Sequence, residues 1–333
     1  MPGIASDRSH LTRGYTIALA AAAILSTTAI FIRHLTVRYG IPALVLALWR
    51  DAFVCATLLP ALAVLRPGFL RVGRRNLAYL ALYGLQLAAF NATWTLSVAL
   101  NGAAVATVLV YCSAGFTALL GRWLLRERLG LGKVAAVALS LSGCALVSGA
   151  FDPSAWRANL AAIATGVLSG LCYAGYSLMG RAAAQRGLDP WTTVLAVFAF
   201  ATLFLLGINL VPGGLVPGAA ARPADLLWLG GEWRGWAVLV LLAAGPTVAG
   251  FGLYNVSLSY LPSSVANLVV STEPVLTAAT AYVVFGERLT AVQLAGSAMI
   301  LGAVVLLRIH DAWTERRAAG LAGSPPGDGA PLC

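Results

Sequence analysis

A chain of 333 residues with 59% hydrophobic and only 10% charged residues, at a mean hydropathy of +0.84, departs from soluble domains, where about 25% of residues are charged. That balance excludes a soluble enzyme or binding module and leaves a protein embedded in a membrane. The net charge of +10 is then a matter of topology and contact with anionic lipid, and nucleic acid is not expected as a partner.

A hydrocarbon core about 30 Å thick takes a helix of about 20 apolar residues. Such stretches follow one another here without the polar and apolar alternation of barrel strands, so their backbone groups must be satisfied within helices. In chain order the expected spans are Gly14 to Arg33, Pro42 to Leu65, Asn76 to Leu100, Gly102 to Leu125, Leu131 to Gly149, Leu160 to Gly180, Trp191 to Leu210, Trp236 to Tyr260, Ser263 to Phe285 and Val292 to Leu307. The expectation is an all-α membrane protein of ten transmembrane helices. The first span follows Arg13 in the manner of a signal peptide, but no small-residue cleavage site leads into a soluble domain, so it is read as retained. The Gly- and Pro-rich connection from Val211 to Gly235 reads as a plain linker, with a mobile cover as the alternative. Residues 309–333 read as a disordered cytoplasmic tail.

With the N-terminus inside, 15 Lys and Arg residues fall in cytoplasmic segments and 6 in outer ones, and Arg50 lies within a span. This bias places both termini in the cytoplasm. Arg and Ala usage suggests a GC-rich bacterial genome, hence a multi-pass protein of the bacterial inner membrane. Of the five cysteines, Cys55, Cys112, Cys144 and Cys172 lie in apolar spans and form no disulfide framework or metal knuckle.

Shifting the chain by 160 residues places Glu127-Arg128-Leu129 on Glu287-Arg288-Leu289, Ser97 on Ser257, Val105-Ala106 on Val265-Ala266 and Thr117-Ala118 on Thr277-Ala278. The repeats are 14–150 and 156–308. Five spans per repeat is an odd number, so the second copy must be inverted in the membrane. Inverted repeats put a substrate site near the midplane where the halves meet.

Three charges lie inside spans: Arg50 and Asp51 in the second and Glu273 in the ninth. Ions at that depth are costly and usually face a cavity or a partner. Glu273 precedes Pro274, which removes a backbone donor in what reads as the middle of a helix. It is a candidate for binding a substrate ammonium or taking up a proton, against a structural carboxylate fixed by hydroxyls or by Arg50. Arg50 is a candidate for holding a substrate carboxylate, or Glu273 when the site is empty, against an architectural ion pair. Adjacent helical residues point about 100° apart, so Arg50 and Asp51 are not expected to face the same spot.

Trp94 and Tyr254 correspond under the shift, as do Thr95 and Asn255, and Thr107 and Asn267. Paired aromatics can stack on an organic substrate, or belong to an interfacial belt. Asn91, Tyr111, Tyr173 and Tyr176 are further polar candidates that equally suit helix packing. Small residues at Ala138 to Ser142 and Ala298 to Gly302 allow close helix approach, within the chain or in a homodimer.

The run Ser271-Thr272-Glu273-Pro274-Val275-Leu276-Thr277, followed by Phe285-Gly286-Glu287-Arg288-Leu289-Thr290, resembles the EamA-type signature of the drug/metabolite transporter superfamily. Leu124 to Gly130 resembles its first-half counterpart, although Ser113-Ala114 stands where the second half has Glu273-Pro274. The resemblance implies a ten-helix bundle in which spans one to four and six to nine surround a central cavity. It also implies export of amino acids or other metabolites, in the manner of the YddG-like exporters.

A secondary transporter is therefore expected, exporting a small polar metabolite, an amino acid or related compound, by alternating access. The alternatives are a proton-coupled antiporter of drugs or toxic compounds, and a membrane-embedded enzyme. The only histidines, His10, His34 and His310, lie near span ends without a ligand spacing, and no nucleophile elbow or phosphate-binding loop is present. No enzymatic activity, metal or cofactor is expected.

Overall fold

Runs of Ala, Leu and Val without alternation become helices wherever the chain can satisfy its own backbone. The computed structural model describes residues 3–65, 68, 73–125, 131–147, 153–211, 214–257, 260 and 269–322, and no strand occurs among them. The helices are α1 (Gly3–Tyr39), α2 (Ala43–Leu65), α3 (Leu77–Asn101), α4 (Ala103–Val110), α5 (Ser113–Leu125) and α6 (Leu131–Val147), then α7 (Pro153–Gln185), α8 (Pro190–Asn209), α9 (Trp233–Leu242), α10 (Gly250–Ser257), α11 (Glu273–Phe285) and α12 (Ala291–Ala322). Five of the helical segments are long and apolar enough to cross a membrane, and shorter apolar helices of 10–17 residues accompany them. Apolar side chains such as Leu82, Leu203 and Val283 are exposed on the outside of the bundle, as a lipid-facing surface requires.

Local signals set the ends. Asp189 caps α8 by accepting a 2.9 Å bond from the Thr192 amide, with Pro190 at the first helical position, where its missing N–H does no harm. Gly286, at φ 68°, closes α11 in the left-handed conformation. Two expected boundaries move. Helix α12 runs to Ala322, so the segment 309–322, expected to be disordered, is helical; its Ala, Arg and Glu are good helix formers. The eighth span is α9, a π-helical segment at Ala243–Ala249 containing Pro246, and α10, because the proline cannot continue the ordinary ladder.

Corresponding helices of the two halves pack side by side and run antiparallel. In α2 and α8, Asn209 Nδ2 donates to the Leu44 carbonyl at 3.1 Å, while Cys55 lies against the Leu195 carbonyl at 3.9 Å. In α6 and α12, Gly143 meets Gly296, and Ala136 is buried with Ala303. The second contact is the first carried through the 160-residue shift, since 143 maps to 303 and 296 to 136. Helices α3 and α7 pack together, as do α1 and α10, the same pairing with the halves exchanged.

Of the small residues singled out from sequence, Ala138, Ser142 and Ala298 are exposed, while Gly302 is half-buried, with a Cβ there 3.7 Å from Leu139 of α6. A Cβ on Gly143 would stand 2.6 Å from the Gly296 carbonyl oxygen, and one on Gly296 2.7 Å from that of Gly143. Gly296→Val is therefore expected to force α6 and α12 apart at a cost of about 1–3 kcal/mol, read as a lower melting temperature of the detergent-solubilised protein. An unchanged melting temperature would mean the crossing is not tight.

The connection from Val211 to Gly235 is neither a plain linker nor a loose cover over its described part. Ala220 is buried and its amide donates to Asn209 Oδ1 at 2.9 Å, Trp49 Nε1 donates to the Leu226 carbonyl at 2.7 Å, and Trp228 Nε1 donates to the Tyr39 carbonyl at 2.9 Å. These bonds lay the segment over one end of α1, α2 and α8.

Candidate functional site

The fourth and ninth spans are both interrupted, in the same register. In the first half the chain turns at Tyr111-Cys112 between α4 and α5; in the second it turns at Ser271-Thr272 before α11. The turn bonds superpose under the 160-residue shift. Cys112 N to Leu109 O (3.1 Å) matches Thr272 N to Val269 O (3.1 Å), and Gly115 N to Cys112 O (3.0 Å) matches Val275 N to Thr272 O (3.0 Å). Phe116 N to Cys112 O (3.2 Å) likewise matches Leu276 N to Thr272 O (3.1 Å).

Pro274 is thus not in the middle of a helix, as expected from sequence, but in the first turn of α11, where a proline costs no hydrogen bond. Glu273 and Ser113 are the first residues of the two second half-helices. The breaks meet: Tyr111 Oη donates to Glu273 Oε2 at 2.9 Å and lies 3.3 Å from the Val270 carbonyl oxygen. Glu273 is half-buried. A carboxylate at a helix N-terminus sits at the positive end of the peptide dipoles.

A second polar centre lies in α2. Arg50 and Asp51 were expected to diverge, but the Arg50 stem is long enough to fold back, and its Nε and Nη2 both approach Asp51 Oδ1 at 3.3 Å. Asp51 Oδ2 accepts from Asn91 Nδ2 of α3 at 2.7 Å. Among the described residues the ion pairs are Arg33 with Glu287 and Arg50 with Asp51, so Arg50 is not paired with Glu273. All three residues of this centre are buried, at 3%, 0% and 2% exposure. That depth makes pairing compulsory.

Trp94 links this centre to an aromatic array. Its ring lies 5.8 Å from the Arg50 guanidinium carbon, a cation–π contact, and at 7% exposure it belongs to the core and not to an interfacial belt. Trp94 Nε1 is buried without a partner among the described residues, as are Thr95 Oγ1 and Thr107 Oγ1. Phe90 stacks on Trp94 and lies 5.0 Å from Tyr173; Tyr173 stacks on Tyr176, and Tyr176 lies 5.0 Å from Tyr83. The array follows the α3–α7 interface. Phe90 and Tyr83 were missed from sequence, though both lie on α3 at helical spacing from Trp94. Tyr254 is not opposite Trp94 in this array but packs with Ala18, Tyr260 and Val269 near α1. Asn255 lies in α10 without a described side chain, and Asn267 lies outside the described residues, as does the first Glu127-Arg128-Leu129 turn.

Two halves that each carry a broken helix at one register are a construction many membrane transporters share. The chain belongs to the EamA-like transporter family, whose model matches it twice, over residues 12–149 and 160–309. It is 27% identical over 273 residues to the threonine/homoserine exporter RhtA of Escherichia coli K12, covering 77% of this chain and 78% of that one. It is 28% identical over 254 residues to RhtA of Salmonella typhimurium SL1344, covering 73% and 75%. An uncharacterized transporter of Archaeoglobus fulgidus is 27% identical over 235 residues, covering 69% and 76%. One solved crystal structure, 18% identical with a TM-score of 0.57, covers 90% of this chain and 98% of its own, and supports the fold alone.

Proposed function

We propose that this protein is a secondary exporter of a small polar metabolite of amino-acid type, working by alternating access between two oppositely oriented five-helix halves in a bacterial inner membrane, with both termini cytoplasmic. The observation that carries it is the meeting of the two helix breaks through the Tyr111–Glu273 bond of 2.9 Å. Antiparallel packing of α2 on α8 and of α6 on α12 supports the inversion, since a two-fold axis in the membrane plane makes equivalent helices antiparallel. The distribution of 15 inner against 6 outer basic residues supports the orientation.

In this reading Glu273 holds the substrate ammonium or, in its absence, a proton. The Arg50 guanidinium and Trp94 Nε1, the latter buried without a hydrogen-bond partner among the described residues, are the donors for a substrate carboxylate. The names of the RhtA relatives support threonine and homoserine as the first compounds to try. The stacked α3–α7 aromatics favour a second reading, proton-coupled antiport of an aromatic toxic compound.

Overproduction in a strain inhibited by homoserine and threonine tests both readings. The expected result is raised tolerance and faster efflux of the radiolabelled amino acid. Raised tolerance to aromatic toxins alone would select the antiporter, and no change in either tolerance or efflux would end the exporter reading.

A further inference from the structure

The second Glu-Arg-Leu turn makes a contact that neither the repeat nor the resemblance assigns to it. Glu287, just after the Gly286 cap of α11, accepts from the backbone amides of Ala103 and Ala104 at 3.1 Å each, which are the first two residues of α4. Arg33 of α1 stands beside it, with Nε 3.3 Å from Glu287 Oε1, and its Nη1 donates to the Ala99 carbonyl near the end of α3 at 2.8 Å. The pair is thus wedged into the α3–α4 turn with the acid at the positive end of one helix and the base at the negative end of the other, the favourable orientation for both. Gly102 makes the fit: it holds φ +83°, and a Cβ there would lie 2.7 Å from Glu287 Oε1. The carboxylate occupies the space where any other residue's side chain would start.

This contact joins the second half, through the α11–α12 turn, to α1, α3 and α4 of the first. Alternating access rocks one half against the other, so cross-half contacts at a given membrane face must form when that face closes and break when it opens. We propose that Glu287, clamped between Arg33 and the N-terminus of α4, is the outer gate of the transport cycle. The inference rests on the orientation and cycle proposed above. In the closed gate two amides and a guanidinium share one carboxylate; opening returns all of them to the outer water.

The test uses the full chain with its native cysteines replaced and one reporter, Val98→Cys, which lies buried in α3 near the clamp. Intact cells are treated with a membrane-impermeant maleimide, with and without Glu287→Gln. Loss of a charge-assisted contact of about 1.5–3 kcal/mol shifts the closed-to-open ratio about tenfold or more, so labelling of the reporter thiol should rise by at least that factor. The charge-swapped pair Arg33→Glu with Glu287→Arg reverses both helix-end preferences and should leave labelling high.

Should Val98→Cys fail to fold, Ala29→Cys in α1 serves as the reporter. Unchanged labelling by Glu287→Gln overturns the gate, whether export is lost or kept. Because labelling needs no known substrate, a negative efflux panel with increased labelling defeats the amino-acid reading and leaves the gate standing. Increased labelling only from the cytoplasmic side of inverted vesicles overturns the assignment of the gate to the outer face.

Discussion

Replacing Glu273 by Gln is expected to abolish net export while the protein keeps its abundance and melting temperature. The amide is the same size as the carboxylate, and its carbonyl can still accept the Tyr111 hydroxyl that now lies 2.9 Å from Oε2. What goes is the charge. At the first turn of α11 that loss costs stability only about 0.3–1 kcal/mol. The functional loss is larger, because a neutral amide neither pairs with an ammonium nor carries a proton. A charge-assisted bond of about 1.5–3 kcal/mol corresponds to a ten- to hundredfold effect on substrate affinity. The loss is complete if the carboxylate cycles a proton.

The measurement is efflux from preloaded cells alongside quantitative immunoblotting and a detergent melting curve. Glu273→Asp should retain part of the activity, and Tyr111→Phe, which removes a positioning hydroxyl and not a charge, should slow export several-fold without abolishing it. Efflux by Glu273→Gln at the wild-type rate would reduce the residue to a structural acceptor for Tyr111.

Most of the architecture is legible in the order of apolar runs, and the Glu-Arg-Leu pair alone sets the register of the two halves. The helix breaks are not. In the second half Pro274 marks the place, yet a proline reads equally as a kink or as a first helical residue, and only the bonds around Thr272 show the latter. In the first half Tyr111-Cys112-Ser113-Ala114-Gly115 contains no proline, and its one glycine lies past the turn, inside α5; the turn is held by tertiary fit, with Cys112 Sγ 2.6 Å from where a Cβ on Gly170 of α7 would lie. Propensity carries no trace of such a constraint. Arg50 and Asp51 show a different gap: the 100° rule gives the directions of two Cβ atoms, not the reach of a guanidinium on a flexible stem. The cap role of Glu287 was hidden for a similar reason, since its partners are backbone amides 184 and 183 residues away.

Removing one partner of the Arg50–Asp51 pair should be the most damaging change to stability. Asp51 is fully buried, and both Arg50 and Asn91 direct donors at its two oxygens. Asp51→Ala leaves a guanidinium at 3% exposure with no counter-charge and an amide donor with no acceptor. Breaking a buried pair from one side costs about 3–5 kcal/mol, enough to deplete the folded protein from the membrane. The double substitution Arg50→Met with Asp51→Leu removes both charges and fills a similar volume, and should recover most of that stability.

The comparison separates architecture from transport. Folded protein is followed by the melting curve, and efflux is measured on whatever folds. If the double variant melts near the wild type and exports normally, the pair only holds α2 to α3. If it melts normally but needs a much higher internal substrate concentration to reach the same efflux, Arg50 meets the substrate. The second outcome is expected, because the Arg50 guanidinium lies 5.8 Å from the Trp94 ring, whose indole N–H is buried without a partner among the described residues, and an ion pair built only to hold two helices has no use for that donor. Normal melting of Asp51→Ala alone would contradict the burial on which the whole comparison depends.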